Sequence, residues 1–198
     1  MSRETNETRK KILQATVDSL GKTGGEGVRM GDIAKTAGVS RQAVYLHFAS
    51  RTELLVSATR FLDEELDLEE RLGFVRAAES ARERLIRYVH FWGDYIPGIY
   101  GVAKALIIAQ SSDEAANVAW DDRMSALKSG CEAVVKALAA EQALKPEWTK
   151  ESATDAFWAM LLVPVWENLT LKCGWTTEQY KDRVTLMVLN SFVKETPP

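Results

Sequence analysis

The chain has 198 residues, 46% hydrophobic and 27% charged, with a formal net charge of −3. Such a composition fits one large globular domain, or a small domain followed by a larger one, and excludes a disordered chain. The polar start over residues 1–11 reads as no signal peptide, and the longest apolar stretch, 156–166, interrupted by Pro164, falls short of the roughly 20 residues a membrane span needs.

Helical periodicity dominates and β signals are scarce, so the expected fold is all-α, with about nine helices in two parts. A first helix over 5–20 carries the apolar stripe Leu13, Val17 and Leu20, and Gly21, Gly24, Gly25 and Gly27 end it. Short helices are expected at 30–37 and 40–48. Ser50-Arg51-Thr52-Glu53 is a capping box that opens a fourth helix running to about residue 68. Five more follow at 79–95, 98–110, 113–141, 147–171 and 177–194. Their breaks fall at Leu72-Gly73, Pro97-Gly98, Ser111-Ser112, Lys145-Pro146 and Cys173-Gly174, and Pro164 should kink the helix over 147–171 near its middle. Cys131 and Cys173 lie far apart without metal-ligand spacing and read as free thiols of a reducing cytoplasm, a redox-sensing pair being the alternative.

The stretch from Met30 to Leu55 says most about function. Gly38 can take the positive φ of a sharp turn without steric cost. Ile33, Ala34 and Ala37 before it, with Val39, Val44 and Phe48 after it, supply small apolar contacts that let two short helices cross closely. That is the organisation of a helix-turn-helix, whose second helix lies in the DNA major groove. Ile33-Ala34, Ala37-Gly38-Val39-Ser40, Tyr45-Leu46-His47-Phe48 and Arg51 to Leu54 resemble, in order and spacing, the N-terminal domain of the TetR family of bacterial transcriptional regulators. Residues 1–56 carry nine Lys/Arg against six Asp/Glu, a balance of +3, whereas the remainder holds 16 against 22, a balance of −6. A basic head on an acidic body fits a protein that touches phosphates at one end.

The resemblance implies a helix-turn-helix DNA-binding domain over 1–50 and a larger ligand-binding and dimerisation domain over 51–198. It makes Arg41 and Gln42 the base readers. Arg pairs bidentately with guanine and Gln with adenine, each for about 1–3 kcal/mol of discrimination, and Ala43 is small enough to admit a thymine methyl. Ser40 as N-cap, Tyr45, His47 and Arg51 match the family's phosphate-contacting set, which fixes register without reading sequence. Val44, Leu46 and Phe48 are assigned to the core. Two positions depart from the family pattern. Arg51 stands where Lys is usual, keeping the charge and able to grip phosphate bidentately. Arg29 stands where a Thr normally caps the first motif helix, so that cap is lost, Gly31 lowers helix propensity further, and Arg29 reaches phosphate by charge.

All six tryptophans (Trp92, Trp120, Trp148, Trp158, Trp166 and Trp175) lie after residue 90. A small-molecule pocket is apolar and aromatic with a few placed polar groups, and the resemblance places one in the C-terminal body. Its candidate lining is Phe61, Phe91, Trp92, Tyr95, Tyr100, Ile107, Trp120, Met124, Phe157, Trp158 and Met160, with Gln110, Asp121, Arg123 and Asn168 for polarity. The alternative for each aromatic is plain core packing. Helix 177–194 is apolar on more than one face, which a two-fold dimer through helices 147–171 and 177–194 would resolve.

The expected function is that of a cytoplasmic, ligand-responsive regulator, by family habit a repressor. As a homodimer it would bind a palindromic operator in double-stranded DNA and be released by a small hydrophobic or amphipathic effector. An activator on the same fold and a helical carrier or adaptor without DNA contact are the alternatives. No Ser-His-Asp ordering, metal-ligand cluster or phosphate loop is present, and His47 and His90 are isolated. The chain therefore reads as no enzyme, with no cofactor, no metal and no membrane partner.

Overall fold

The computed structural model describes residues 3–195; the first two residues of the polar start and residues 196–198 lie outside them. Ten α-helices and no strand occur among the described residues: α1 (Arg3–Thr23), α2 (Met30–Ala37), α3 (Arg41–His47), α4 (Arg51–Glu65), α5 (Leu68–Arg76), α6 (Ala81–Ala109), α7 (Glu114–Ala140), α8 (Lys150–Met160), α9 (Val163–Glu167) and α10 (Thr177–Phe192). A π-helical turn, Asn168–Lys172, extends α9. No helix among the described residues is long and apolar enough to cross a membrane.

The chain divides into two compact units. The first takes the residues up to 66 together with 98–122, and the second takes 67–97 and the residues from 123 onward. Both α6 and α7 therefore contribute to each unit, a division that differs from a simple cut after residue 50.

In the first unit α1 to α4 surround a core of Ile12, Leu13, Leu20, Ile33, Val44, Phe48, Leu54, Leu55 and Ala58, to which α6 adds Val102 and Leu106 and α7 adds Ala116. Close packing depends on two glycines meeting. A Cβ on Gly25 would lie 2.6 Å from the Gly101 carbonyl oxygen, and one on Gly101 would lie 2.6 Å from the Leu20 carbonyl. The end of α1 thus rests backbone-to-backbone on α6.

In the second unit the buried face of α6 carries Leu85, Tyr88, Val89 and Trp92. Tyr88 lies 6.0 Å from Phe157 of α8, and Phe157 lies 6.2 Å from Phe192 of α10. The end of α10 is held to the segment before α8. Lys145 N–H donates to the Phe192 carbonyl at 2.9 Å, and Trp148 Nε1 donates to the Ser191 carbonyl at 2.8 Å.

Three breaks fall elsewhere than the sequence suggests. Pro97-Gly98 does not divide α6, which runs through both residues. A proline forfeits one backbone hydrogen bond, but both flanks are anchored by burial, Ile96 at 0% and Val102 at 2% exposure, and the helix continues. The fourth helix ends at Glu65, close to the expected residue 68, but an additional helix, α5, then runs through the expected break at Leu72-Gly73. Asp67 adopts φ 50° as the N-cap of α5, a left-handed conformation Asp tolerates. Pro164 does more than kink the expected helix over 147–171. Leu162 turns extended, and Pro164 sits in the first turn of a new helix, where its fixed φ is pre-organised.

Candidate nucleic-acid interface

The turn between α2 and α3 follows from its residues. Gly38 caps α2 at φ 68°, ψ 31°, a left-handed pair that glycine takes without a Cβ penalty. Ser40 then opens α3, its Oγ accepting from the Ala43 N–H at 3.0 Å. Val44 and Phe48, both fully buried, fix α3 to the unit's core and leave Arg41, Gln42, Tyr45 and Leu46 exposed along its outer side. The Arg41 guanidinium lies 5.6 Å over the Tyr45 ring, a cation–ring contact that helps to hold a long side chain in place.

Leu46 corrects the sequence-based assignment to the core, because it is 80% exposed. The seven-residue α3 turns only Val44 and its C-cap Phe48 fully inward, and Leu46 falls between them on the opposite side. Ala43 and His47 are half-buried.

Around this face stand the other expected contacts. Arg29 is exposed and is the N-cap of α2, with no cap from its side chain. Part of the loss is recovered by Asp32, whose carboxylate accepts the Arg29 N–H at 3.1 Å. Arg51 is half-buried, and its Nε donates to the Val28 carbonyl at 3.3 Å. One edge of the guanidinium thereby braces the loop ahead of α2. Half of the expected Ser50–Glu53 capping box forms: Ser50 Oγ accepts Glu53 N–H at 3.0 Å, but the Glu53 carboxylate accepts the N–H of Ala49, one residue before the N-cap, at 2.7 Å. Sequence reasoning overlooked Arg9. Its guanidinium donates to Ser57 Oγ at 3.2 Å and lies 4.9 Å over the Phe48 ring, bracing α1 against α4 and the end of α3. Only its helical spacing in α1 could have signalled that.

The aromatic residues named for a pocket divide between the two units. Phe61 is buried and Tyr100 and Trp120 half-buried in the first. Ile107 and Gln110 are half-buried there, and Asp121 is exposed. The second unit brings Phe91, Trp92 and Tyr95 together, with Phe91 and Tyr95 stacked at 5.4 Å and Trp92 6.3 Å from Tyr95. Phe157 is buried, Met124, Trp158, Met160 and Arg123 are half-buried, and Asn168 is exposed in the same unit. An open groove of about 570 Å³ lies along α5 and α6 in this unit, lined by Asp67, Glu70, Arg71, Phe74, Ile86, Arg87, His90, Phe91 and Asp94. Phe91 is the one member of the expected set that lines it. Nearby, burial pushes the Cys131 thiol up to about 12, while the buried Tyr88 hydroxyl, also raised by burial, donates to the Leu127 carbonyl at 3.2 Å.

Residues 12–58, which span α1 to α4, match the family model for bacterial regulatory proteins of the TetR family. These four helices match the N-terminal domain of the TetR family. The chain is 36% identical over 89 residues to the HTH-type transcriptional regulator SrpR of Pseudomonas putida, covering 44% of this chain and 42% of SrpR. It is also 36% identical over 89 residues to the uncharacterised HTH-type transcriptional regulator TtgW of Pseudomonas putida, covering 44% of this chain and 66% of TtgW. The matched stretch thus spans less than two thirds of either relative. The fold extends further. A transcriptional regulator from Saccharomonospora viridis, solved in complex with choline, superposes with a TM-score of 0.82 at 18% identity, covering 96% of this chain and 100% of that one.

Proposed function

We infer that this chain is a ligand-responsive transcriptional regulator of the TetR family that binds a palindromic operator as a homodimer. The observation that carries the reading is the outer side of α3. Arg41 and Gln42 stand exposed there beside Tyr45, on a helix locked to the core by Val44 and Phe48. In a major groove Arg41 and Gln42 read base edges, Ala43 flanks them, and Arg29, Ser40, Tyr45, His47 and Arg51 hold phosphates. Two such helices in one dimer would enter successive major grooves about 34–36 Å apart. DNA-binding function is assigned to residues 1–50 and effector binding and dimerisation to 51–198. The effector is a small hydrophobic or amphipathic molecule held among the aromatic side chains of the C-terminal body, and its binding releases the operator. The choline complex of the Saccharomonospora viridis protein supports a small effector. The dimer forms through α8 to α10, where Leu171, Leu186 and Met187 are exposed in the protomer, and the protein acts in the cytoplasm as a repressor and not as an enzyme.

Selection of bound fragments from a random duplex library at physiological salt tests this. A palindrome with half-sites one helical turn apart is the expected result. Failure to enrich any sequence at low salt, where phosphate contacts are strongest, would overturn it.

A further inference from the structure

Leu46 is 80% exposed, although Val44 and Phe48 beside it are fully buried. A lone exposed leucine is ordinary on most of a protein surface. This one stands on the outer side of α3, among residue types that read bases. Side chains at i and i+4 share a helix face, so Leu46 lies one turn beyond Gln42, as Tyr45 lies one turn beyond Arg41. The Arg41–Tyr45 pair is engaged ring to guanidinium at 5.6 Å. Gln42 and Leu46 form the neighbouring row, one polar and one apolar.

The major groove offers an apolar side chain one kind of partner. Each base pair presents donors and acceptors there, and only thymine adds a methyl group, at C5. The side chain first expected to meet such a methyl, Ala43, is half-buried and short, and its N–H is held by Ser40 Oγ at 3.0 Å. Leu46 is longer and nearly fully accessible.

We propose that Leu46 is a specificity-determining residue that packs against the C5 methyl of a thymine close to the base read by Gln42. This rests on the operator-binding reading above and extends it to a base that no hydrogen bond identifies. The thymine is bound by contact with its methyl and not by pairing to its polar edge.

Replacing thymine by deoxyuridine removes that methyl and nothing else. The operator recovered by wild-type protein is therefore resynthesised with each thymine of the half-site replaced in turn, and affinities of wild-type and Leu46→Ala full-length protein are measured by fluorescence anisotropy. At one thymine per half-site the replacement weakens wild-type binding about fourfold, which is ~0.8 kcal/mol for one methyl-sized group. At that position it leaves Leu46→Ala unchanged. Because Leu46 is exposed, the variant keeps the wild-type melting temperature, and Arg41→Ala, assayed in parallel, keeps the full deoxyuridine effect. Equal losses in wild-type and Leu46→Ala, or no loss at any thymine, would overturn the proposal while leaving operator binding standing. Recovery of no operator at all would overturn both.

Discussion

The Thr52 hydroxyl donates to the Asp113 carboxylate, which also accepts the N–H groups of Ala115 and Ala116 at 3.0 and 3.2 Å. One carboxylate therefore caps α7 and ties it to the first turn of α4. The Thr52 hydrogen bond, helped by the Ala116 N–H, holds the Asp113 carboxyl below the usual carboxylate value. A carboxyl whose folded value is depressed contributes stability above its unfolded value, near 3.9, and loses it as pH falls through the folded value. Asp113→Ala should accordingly lower the melting temperature at pH 7. The gap to wild type should close as the pH drops from 5 towards 2. Thermal scans across that range check it, and a gap that stays constant with pH would show that the charge plays no part.

Gly101 and Gly31 should respond to alanine in opposite directions. A Cβ at Gly101 meets the Leu20 backbone at 2.6 Å, and a backbone atom has nowhere to move. Gly101→Ala should destabilise the protein by about 1–3 kcal/mol. Gly31 sits in the first turn of α2 with nothing within 4 Å of its would-be Cβ, so Gly31→Ala should stabilise by roughly 0.5–1 kcal/mol. Denaturant unfolding of the two variants decides the matter, and changes of the same sign would contradict the packing described.

Phe48 closes α3 and is fully buried, with the Arg9 guanidinium 4.9 Å over its ring. Phe48→Ala should cost about 3–5 kcal/mol, and it should abolish DNA binding by releasing α3. A folded, fully binding variant would mean that α3 is held by something other than this anchor.

The two cysteines should differ in reactivity. Cys131 is fully buried with its thiol pushed up to about 12 by burial, whereas Cys173 is exposed. The thiolate is the reactive form, so at pH 8 an alkylating reagent should modify Cys173 in the native protein and reach Cys131 only on unfolding. Mass spectrometry of a time course reads both sites, and equal rates would be inconsistent with the buried Cys131.

Local chemistry makes the head of the molecule legible in the sequence. The bounds of α2, the left-handed Gly38 and the Ser40 and Ser50 caps each depend on residues within a few positions of one another. The departures come where distant contacts override local preference. Pro97-Gly98 reads as a break, yet the buried residues on either side carry α6 through it. Leu72-Gly73 reads as a break, yet it lies inside α5, a helix opened by a left-handed Asp67 that no turn signal marks. Leu46 reads as inward because apolar residues in short helices usually are. Its direction is nonetheless readable from spacing, since Val44 and Phe48 already occupy the inner face four residues apart. The aromatic side chains say less. Their types suggest a pocket, but which of them share a unit depends on how α6 and α7 are divided between the two units, which no local pattern records.

The role of α3 is tested most directly by the affinity of Arg41→Ala/Gln42→Ala protein for the selected operator, measured beside its dimer mass and helical content. Each bidentate base contact is worth about 1–3 kcal/mol, so operator affinity should fall at least tenfold towards the level of unrelated DNA, with dimer and helicity unchanged. Wild-type affinity in the double variant would contradict recognition through α3 and favour a helical carrier that makes no base contact.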